Sequence, residues 1–334
     1  MTPELRLSPS DEHCHPIEEA PTFQESMYAN VLDPVARLGV WVRVGNRPHE
    51  GHSEVSCCVY LPDGRVAFGF GRPACDSNDA LAAGGAAFEV VEPFEHLRMT
   101  YDGPLLLLDD PLALADPGRA METNRLVEGR VDLDLRGLVT PFGGEPVDGV
   151  EDSVLAGFAR GHYEQHVRGT GTVTVDGTSY SLDALGLRDH SWGPRLWQNL
   201  SWYRFLPLVF SDDLAMSAVL IGDHDGGLHA GGMVLRTTPE GSRGYVPIED
   251  VRLTSEYDER DYPRRQRIEV DTAERTYVVE GESMSLVPLR NRRDGRTTRI
   301  TEAMTRFTCE GHEGVGMAEY LDQLVDGRPT GRDW

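Results

Sequence analysis

Gly171-Thr172-Val173-Thr174-Val175-Asp176-Gly177-Thr178-Ser179-Tyr180 is the stretch whose reading decides the fold. Successive side chains on a strand point to opposite faces, so Val173 and Val175 share a buried face and Thr172 and Thr174 a wet one. Asp176-Gly177 supplies two residues that tolerate positive φ, which a two-residue hairpin turn requires. The segment therefore reads as strand, tight turn, strand. The same punctuation recurs at Asp102-Gly103, Asp148-Gly149, Asp225-Gly226, Asp294-Gly295 and Asp326-Gly327.

Other stretches repeat the pattern. Leu38 to Val44 is β-rich. Ser56 to Tyr60 and Arg65 to Phe70 flank Pro62-Asp63-Gly64 and read as a second hairpin. Arg267 to Asp271 alternates charged and apolar residues and suits pairing with Thr276 to Val279. Helical periodicity is confined to Ser153–His162 and Met317–Val325, and no GxGxxG follows a strand. The expected class is all-β: two antiparallel barrel or sandwich domains with few short helices. Gly143, Gly144, Pro146 and Gly149 mark the expected boundary. The division is an irregular lead-in over 1–22, one β-domain over 23–150 and another over 151–334.

Composition removes several function classes. The formal net charge is −23, with 55 acidic residues against 32 basic ones. Such a chain repels nucleic acid and anionic membrane surfaces. Every basic residue other than histidine is arginine. Without lysine there is no Schiff-base chemistry, so pyridoxal phosphate and class I aldolase mechanisms are excluded, as is a phosphate-loop lysine. The five cysteines, Cys14, Cys57, Cys58, Cys75 and Cys309, form no CxxC and suit free thiols in a reducing cytoplasm. The first 25 residues hold no apolar run of signal length. No stretch approaches the ~20 apolar residues of a membrane span.

The densest chemistry lies in Arg188-Asp189-His190-Ser191-Trp192-Gly193-Pro194-Arg195-Leu196-Trp197. On a strand, Asp189 and Ser191 face one side while His190 and Trp192 face the other. An imidazole beside an indole wall can protonate, and then stabilise, a cationic centre. Arg188 and Asp189 instead suit an anchoring ion pair, and Trp and His on a strand commonly pack a core. Upstream, Glu164 is placed to pair with Arg188 or Arg195. His162 and His166 have the i,i+4 spacing of helical metal ligands, but the zincin pattern is incomplete. His13-Cys14-His15 has ligand-type residues within what reads as a solvated tail. Glu25, Tyr28, Asn30 and Trp41 are candidates for lining a pocket or closing a barrel end.

Arg188-Asp189-His190-Ser191-Trp192-Gly193-Pro194-Arg195 resembles the signature of a lipocalin-like superfamily. It includes carotenoid hydratases, AttH-like proteins and fungal decalin-forming Diels–Alderases. Glu25-Ser26-Met27-Tyr28, Trp41-Val42-Arg43-Val44-Gly45 and Tyr163-Glu164-Gln165 are similar to stretches of bacterial members. The resemblance spans about residues 23 to 325. It implies two lipocalin-like β-domains with an apolar pocket. It also implies enzymes that hydrate, cyclise or isomerise unsaturated hydrophobic molecules without a redox cofactor. In the hydratases the His and Trp of the H-x-W motif are implicated at the site, which points to His190 and Trp192. An Asp and a Tyr follow in those enzymes, for which Tyr203 and Asp212 are the nearest candidates here.

The expected function is thus a cofactor-independent hydratase, cyclase or isomerase acting by general acid catalysis on a terpenoid, steroid-like or polyketide-like molecule. The alternative is a non-catalytic carrier of hydrophobic ligands. The expected catalytic residues are His190, Asp189 and Glu164. Trp192, Tyr203, Trp41, Tyr28, Glu25 and Trp202 are the expected binding residues, with Arg188 and Arg195 as anchors. No metal or redox cofactor is expected. The partner is a hydrophobic small molecule, not nucleic acid or a membrane, and a homo-oligomer is compatible with this class.

Overall fold

The computed structural model describes residues 4–147, 158–237 and 241–333. Strand accounts for 67% of the chain and helix for 7%, which makes it all-β as expected. The chain divides into two compact units. One holds residues 1–109 and 121–196, the other residues 110–120 and 197–334.

In the first unit eight antiparallel strands form a closed ring in chain order: Phe23–Asp33, Leu38–Arg47, His52–Tyr60, Val66–Gly71, His96–Leu108, Arg125–Gly137, Gly161–Val175 and Thr178–Pro194. The last strand pairs back onto the first, Leu187 opposite Asn30 and Trp192 opposite Glu25. Val31, Val40, Val42, Val59, Leu133 and Val167 fill the interior. The alternation of these strands is the physical reason for closure, since each offers one apolar face and a ring leaves none of its strands with a free edge.

The second unit repeats this plan. Its ring runs from Trp202–Ser211 through Leu214–Gly222, Leu228–Thr237, Arg243–Tyr257, Pro263–Thr272, Thr276–Arg293, Arg296–Cys309 and His312–Val325. Pairing of Trp202–Ser211 with His312–Val325 closes it. Leu206, Met216, Ile268, Phe307 and Tyr320 lie in its core. No described helix is long and apolar enough to cross a membrane.

The Asp-Gly hairpins form where alternation flanks them. Val175 pairs with Thr178, and Asp176 and Gly177 both have positive φ, 53° and 77°. Tyr60 pairs with Val66 and Asp271 with Thr276, giving the other two expected hairpins. Asp102-Gly103 is different: it sits inside a strand, opposite Arg130 and Gly129. Asp148-Gly149 lies outside the described residues.

Four expectations are corrected. The units part at Leu196, not at the glycine-proline cluster near residue 150, because strands Gly161–Val175 and Thr178–Pro194 are needed to close the first ring. Met317–Val325 is strand, its apolar residues filling both faces and so mimicking a helical pattern. His162 and His166 also lie on a strand, ~13 Å apart at strand rise, so they do not meet as helical ligands would. Of the helix expected over Ser153–His162, residues 153–157 lie outside the described residues, and residues 158–162 hold no helix, with Gly161 and His162 opening a strand. Finally, residues 4–22 are no solvated tail. Leu5–Arg6 pairs with Glu145 and Pro146, Pro9–Glu12 forms a 3-10 turn, and Glu12 is buried.

Candidate active site

The strand Thr178–Pro194 separates two chemistries by one peptide bond. Its neighbours fix which residues meet. His190 lies opposite Tyr163 and Met27, Asp189 opposite Glu164 and Tyr28, and Arg188 opposite Gln165 and Ala29. Met27 and Ala29 belong to the barrel core, so Arg188, His190 and Trp192 point inward. Asp189 and Ser191 point outward. The alternation expected from sequence is therefore the geometry found.

The inward cluster is closed and polar at its centre. Glu25 Oε1 takes His190 Nε2 at 2.8 Å and His15 Nδ1 at 2.7 Å. Glu25 Oε2 accepts the His15 backbone N–H at 2.8 Å and Asn78 Nδ2 at 2.5 Å. Burial opposes the charge on Glu25, but the two imidazoles outweigh it and hold its pKa down to about 2. His15 lies flat on Trp192, ring centres 4.1 Å apart and planes 14° apart. Trp192 in turn lies over Gly161, where a Cβ would fall 2.2 Å from the indole. Next along the strand, Arg188 grips Glu12 with both arms, one at 3.0 Å, and bonds Gln165 at 2.7 Å. His190 is 0% exposed.

His15, Glu25 and His190 each offer a ligand atom within 4.8 Å of the others. Nitrogen and oxygen donors around a tetrahedral zinc lie about 3.3 Å apart. The separations of 2.7 and 2.8 Å are those of hydrogen bonds. A ligating His also gives its second N–H to an acceptor, and His190 Nδ1 has no hydrogen-bond partner. The trio fits a hydrogen-bonded carboxylate better than a metal.

The outward face carries a row running in register across four strands: Glu164, Asp189, Tyr28 and Arg43. The row beside it holds His166, Leu187, Asn30 and Trp41, and the row on the other side His162, Ser191, Ser26 and Gly45. Burial lifts the pKa of the Asp189 carboxyl above the ordinary 3.8. Glu164 adds to this lift, while His162, Arg195 and Arg43 oppose it. His162 Nε2 meets Glu164 Oε1 at 3.0 Å. Burial disfavours the charged imidazole, yet Glu164 raises the His162 pKa overall. Tyr28 and Trp41 stand 6.0 Å apart as ring centres. Asn30 Nδ2 donates to the Tyr28 hydroxyl at 3.2 Å and Trp41 Nε1 to the Tyr60 hydroxyl at 3.3 Å, so both rings have their polar ends engaged. This face pairs an acid biased toward its neutral form with an aromatic wall.

One family model matches residues 8–324, and its description is a domain of unknown function, DUF7064. The chain belongs to the DUF7064 family. No curated protein matches this DUF7064 chain. Solved structures do. A Nitrosomonas europaea protein named as an AttH (NE1406) superposes with a TM-score of 0.60 at 12% identity, over 98% of this chain and 99% of that one. CghA superposes with a TM-score of 0.53 at 14% identity, over 95% of each chain. CghA with Sch210972 gives 0.55 at 15% identity, over 97% of each. At these identities the likeness speaks for the fold, the lipocalin-like architecture that the DHSWG stretch implied.

The DUF7064 fold distributes the expected site residues over separate places. Glu25, Arg188, His190 and Trp192 are inside the first barrel. Tyr28, Trp41, Glu164 and Asp189 are outside it. Arg195 follows the strand, stacked on Phe158 at 4.6 Å and bonded to its carbonyl at 3.0 Å. In the second unit Trp202 lies in the core, beneath the Arg204 guanidinium, and the Tyr203 hydroxyl donates to Glu319. Asp212 sits at the far end of that strand, ~30 Å from Tyr203 at strand rise, against Arg243 at 3.8 Å. Arg188 pairs with Glu12 rather than with its neighbour Asp189, and Glu164 meets His162. The sequence reading missed Glu12 and Asn78, and took His15 only as a ligand-type residue in a solvated tail. Their partners lie far along the chain, and the only local signal was a His-Cys-His tripeptide.

Proposed function

We propose that the protein is a cofactor-independent acid catalyst for an unsaturated, apolar small molecule, working on the outward face of the first barrel. The observation that carries this reading is Asp189. It is a carboxyl lifted by burial, in register between Glu164 and the aromatic Tyr28. An alkene needs a stronger proton donor than an imidazolium, and a carboxyl that burial makes hold its proton to higher pH is such a donor. The proton passes from the Asp189 carboxyl to a substrate carbon. The cation formed is stabilised by the Tyr28 and Trp41 faces. Loss of a neighbouring proton, attack by an internal alkene or attack by water then gives isomer, cycle or alcohol. The His162–Glu164 pair lies beside Asp189 to return its proton. His190, enclosed and bonded to Glu25, acts as a positioning residue that fixes the strand carrying Asp189.

Native mass spectrometry of freshly purified protein is the first test, because a retained apolar molecule names the substrate class. General acid catalysis contributes roughly 10²–10⁴-fold. Asp189→Asn should lose activity of that order while still retaining the molecule. A retained molecule that both wild type and Asp189→Asn release unchanged would establish the alternative, a carrier of hydrophobic ligands.

A further inference from the structure

Residues 8–16 cross the mouth of the first barrel, and their attachment is unlike that of a core segment. Of residues 4–22, Glu12 alone is buried. The large apolar side chains Leu5 and Ile17 are each 41% exposed. Cys14 packs against the barrel core, and the rest of what holds the segment is polar or a ring contact. Glu12 enters a carboxylate cradle made of the Arg188 guanidinium and the Phe94 N–H, the latter at 3.0 Å. His15 enters a ring slot between Trp192 and Glu25. Asn78 holds the His15 carbonyl at 2.9 Å.

Cradle and slot are built by the barrel, not by the segment. Arg188, Trp192, Tyr163 and Glu25 come from three adjacent ring strands. The segment also leaves this mouth incompletely satisfied. His190 Nδ1 and Trp192 Nε1 are buried without a hydrogen-bond partner, on side chains 0% and 1% exposed. Buried polar atoms are nearly always paired, so these two atoms are available to hydrogen-bond a different occupant.

We propose that the barrel mouth is a binding site of its own, now filled by the chain's residues 8–16 acting as a displaceable strap. The ligand class is read from the occupant: an elongated molecule with a carboxylate at one end, for Arg188, and a flat ring at the other, for Trp192. The two anchors are four strand residues apart, ~13 Å. Release of the strap uncovers the Trp192 face beneath His15 and the core contact of Cys14, so a ligand must cover the same ring to replace it. This site is inside the barrel and does not depend on the chemistry assigned to Asp189.

The test uses the full chain with Glu12→Ala and His15→Ala together. The probe is a synthetic peptide of residues 8–16, and the reading is tryptophan fluorescence. The double variant should keep its far-ultraviolet circular dichroism and bind the peptide. Wild type should bind it at least ten-fold more weakly, since its own strap competes. A peptide carrying Glu12→Gln and His15→Ala should not bind. A folded double variant that ignores the peptide overturns the proposal. So does a double variant that fails to fold, which would make the segment part of the core. Hydrogen exchange on wild type is a second measurement. Amides of 10–15 should exchange at least a hundred-fold faster than those of 23–33, and equal protection would also overturn it.

Discussion

Glu12 and Arg188 form a two-armed ion pair inside the first barrel although 176 residues separate them. Removing one partner of a buried pair ordinarily costs about 3–5 kcal/mol, because the other charge is stranded. A strap behaves differently: once Glu12 is gone the segment lifts and water reaches Arg188. Glu12→Gln is therefore expected to cost about 1 kcal/mol or less in urea unfolding. A loss near the full value would show that the segment does not lift.

Asp189 gives a prediction of opposite sign. Its folded pKa is raised above the ordinary 3.8, so the fold disfavours the ionised carboxyl. The penalty is absent at low pH, grows as pH rises through the unfolded value and is complete above the folded one. Asp189→Asn should then stabilise the protein at pH 7 by ~0.5–2 kcal/mol, the gain typical of relieving a functional strain, and by almost nothing at pH 3. Thermal unfolding at the two pH values checks this. Destabilisation at pH 7 would mean that the ionised carboxylate is well served by its neighbours.

The strap should also respond to pH. The His15 pKa is raised above its ordinary 6.5: burial opposes this, but Glu25 outweighs it. Its contribution is complete below 6.5 and is lost as pH rises through the folded value. Glu25 is held down to about 2 from 4.5, so its contribution is present above 4.5 and lost as pH falls toward 2. The attachment is strongest between 4.5 and 6.5. Hydrogen exchange of residues 10–16, corrected for intrinsic rates, should quicken at pH 9 relative to pH 6 while the ring strands stay unchanged.

The second barrel offers an independent stability test. Arg204 is buried between the Trp202 and Tyr320 rings, at 5.0 and 4.4 Å. It donates to Asp322 at 2.9 Å and to the Gly331 carbonyl at 2.6 Å. Lysine keeps the charge but loses the planar fork and the stacking. Arg204→Lys should cost about 3 kcal/mol, measured as a lower denaturation midpoint.

Gly161→Ala probes the slot wall. The new Cβ would fall 2.2 Å from the Trp192 ring. Overpacking of this kind costs about 1–3 kcal/mol. It should also change tryptophan fluorescence by tilting the indole off His15.

The hairpins and the two-sided character of 188–192 were legible because period-two alternation and Asp-Gly turns are local signals. The strand at 312–325 was not. Met317 and Leu321 are buried on one face, Ala318 and Tyr320 on the other, so alternation is erased and the spacing suggests a helix. The barrel-mouth site was half legible. His190 and Trp192 stood out, but Glu12 and His15 sit in a polar stretch whose partners depend on ring closure. The unit boundary was misplaced for a similar reason: glycine and proline mark a turn equally well within a ring as between two.

His190 and Asp189 share one peptide unit, one facing the barrel mouth and the other the outer row. Neither can be displaced through its backbone without the other moving. If filling the mouth shifts that peptide, the acidity of Asp189 changes with it, and the same free energy must appear in reverse. Protonation outside would then tune affinity inside. A titration of peptide binding against pH, repeated with Asp189→Asn, would measure that exchange in both directions.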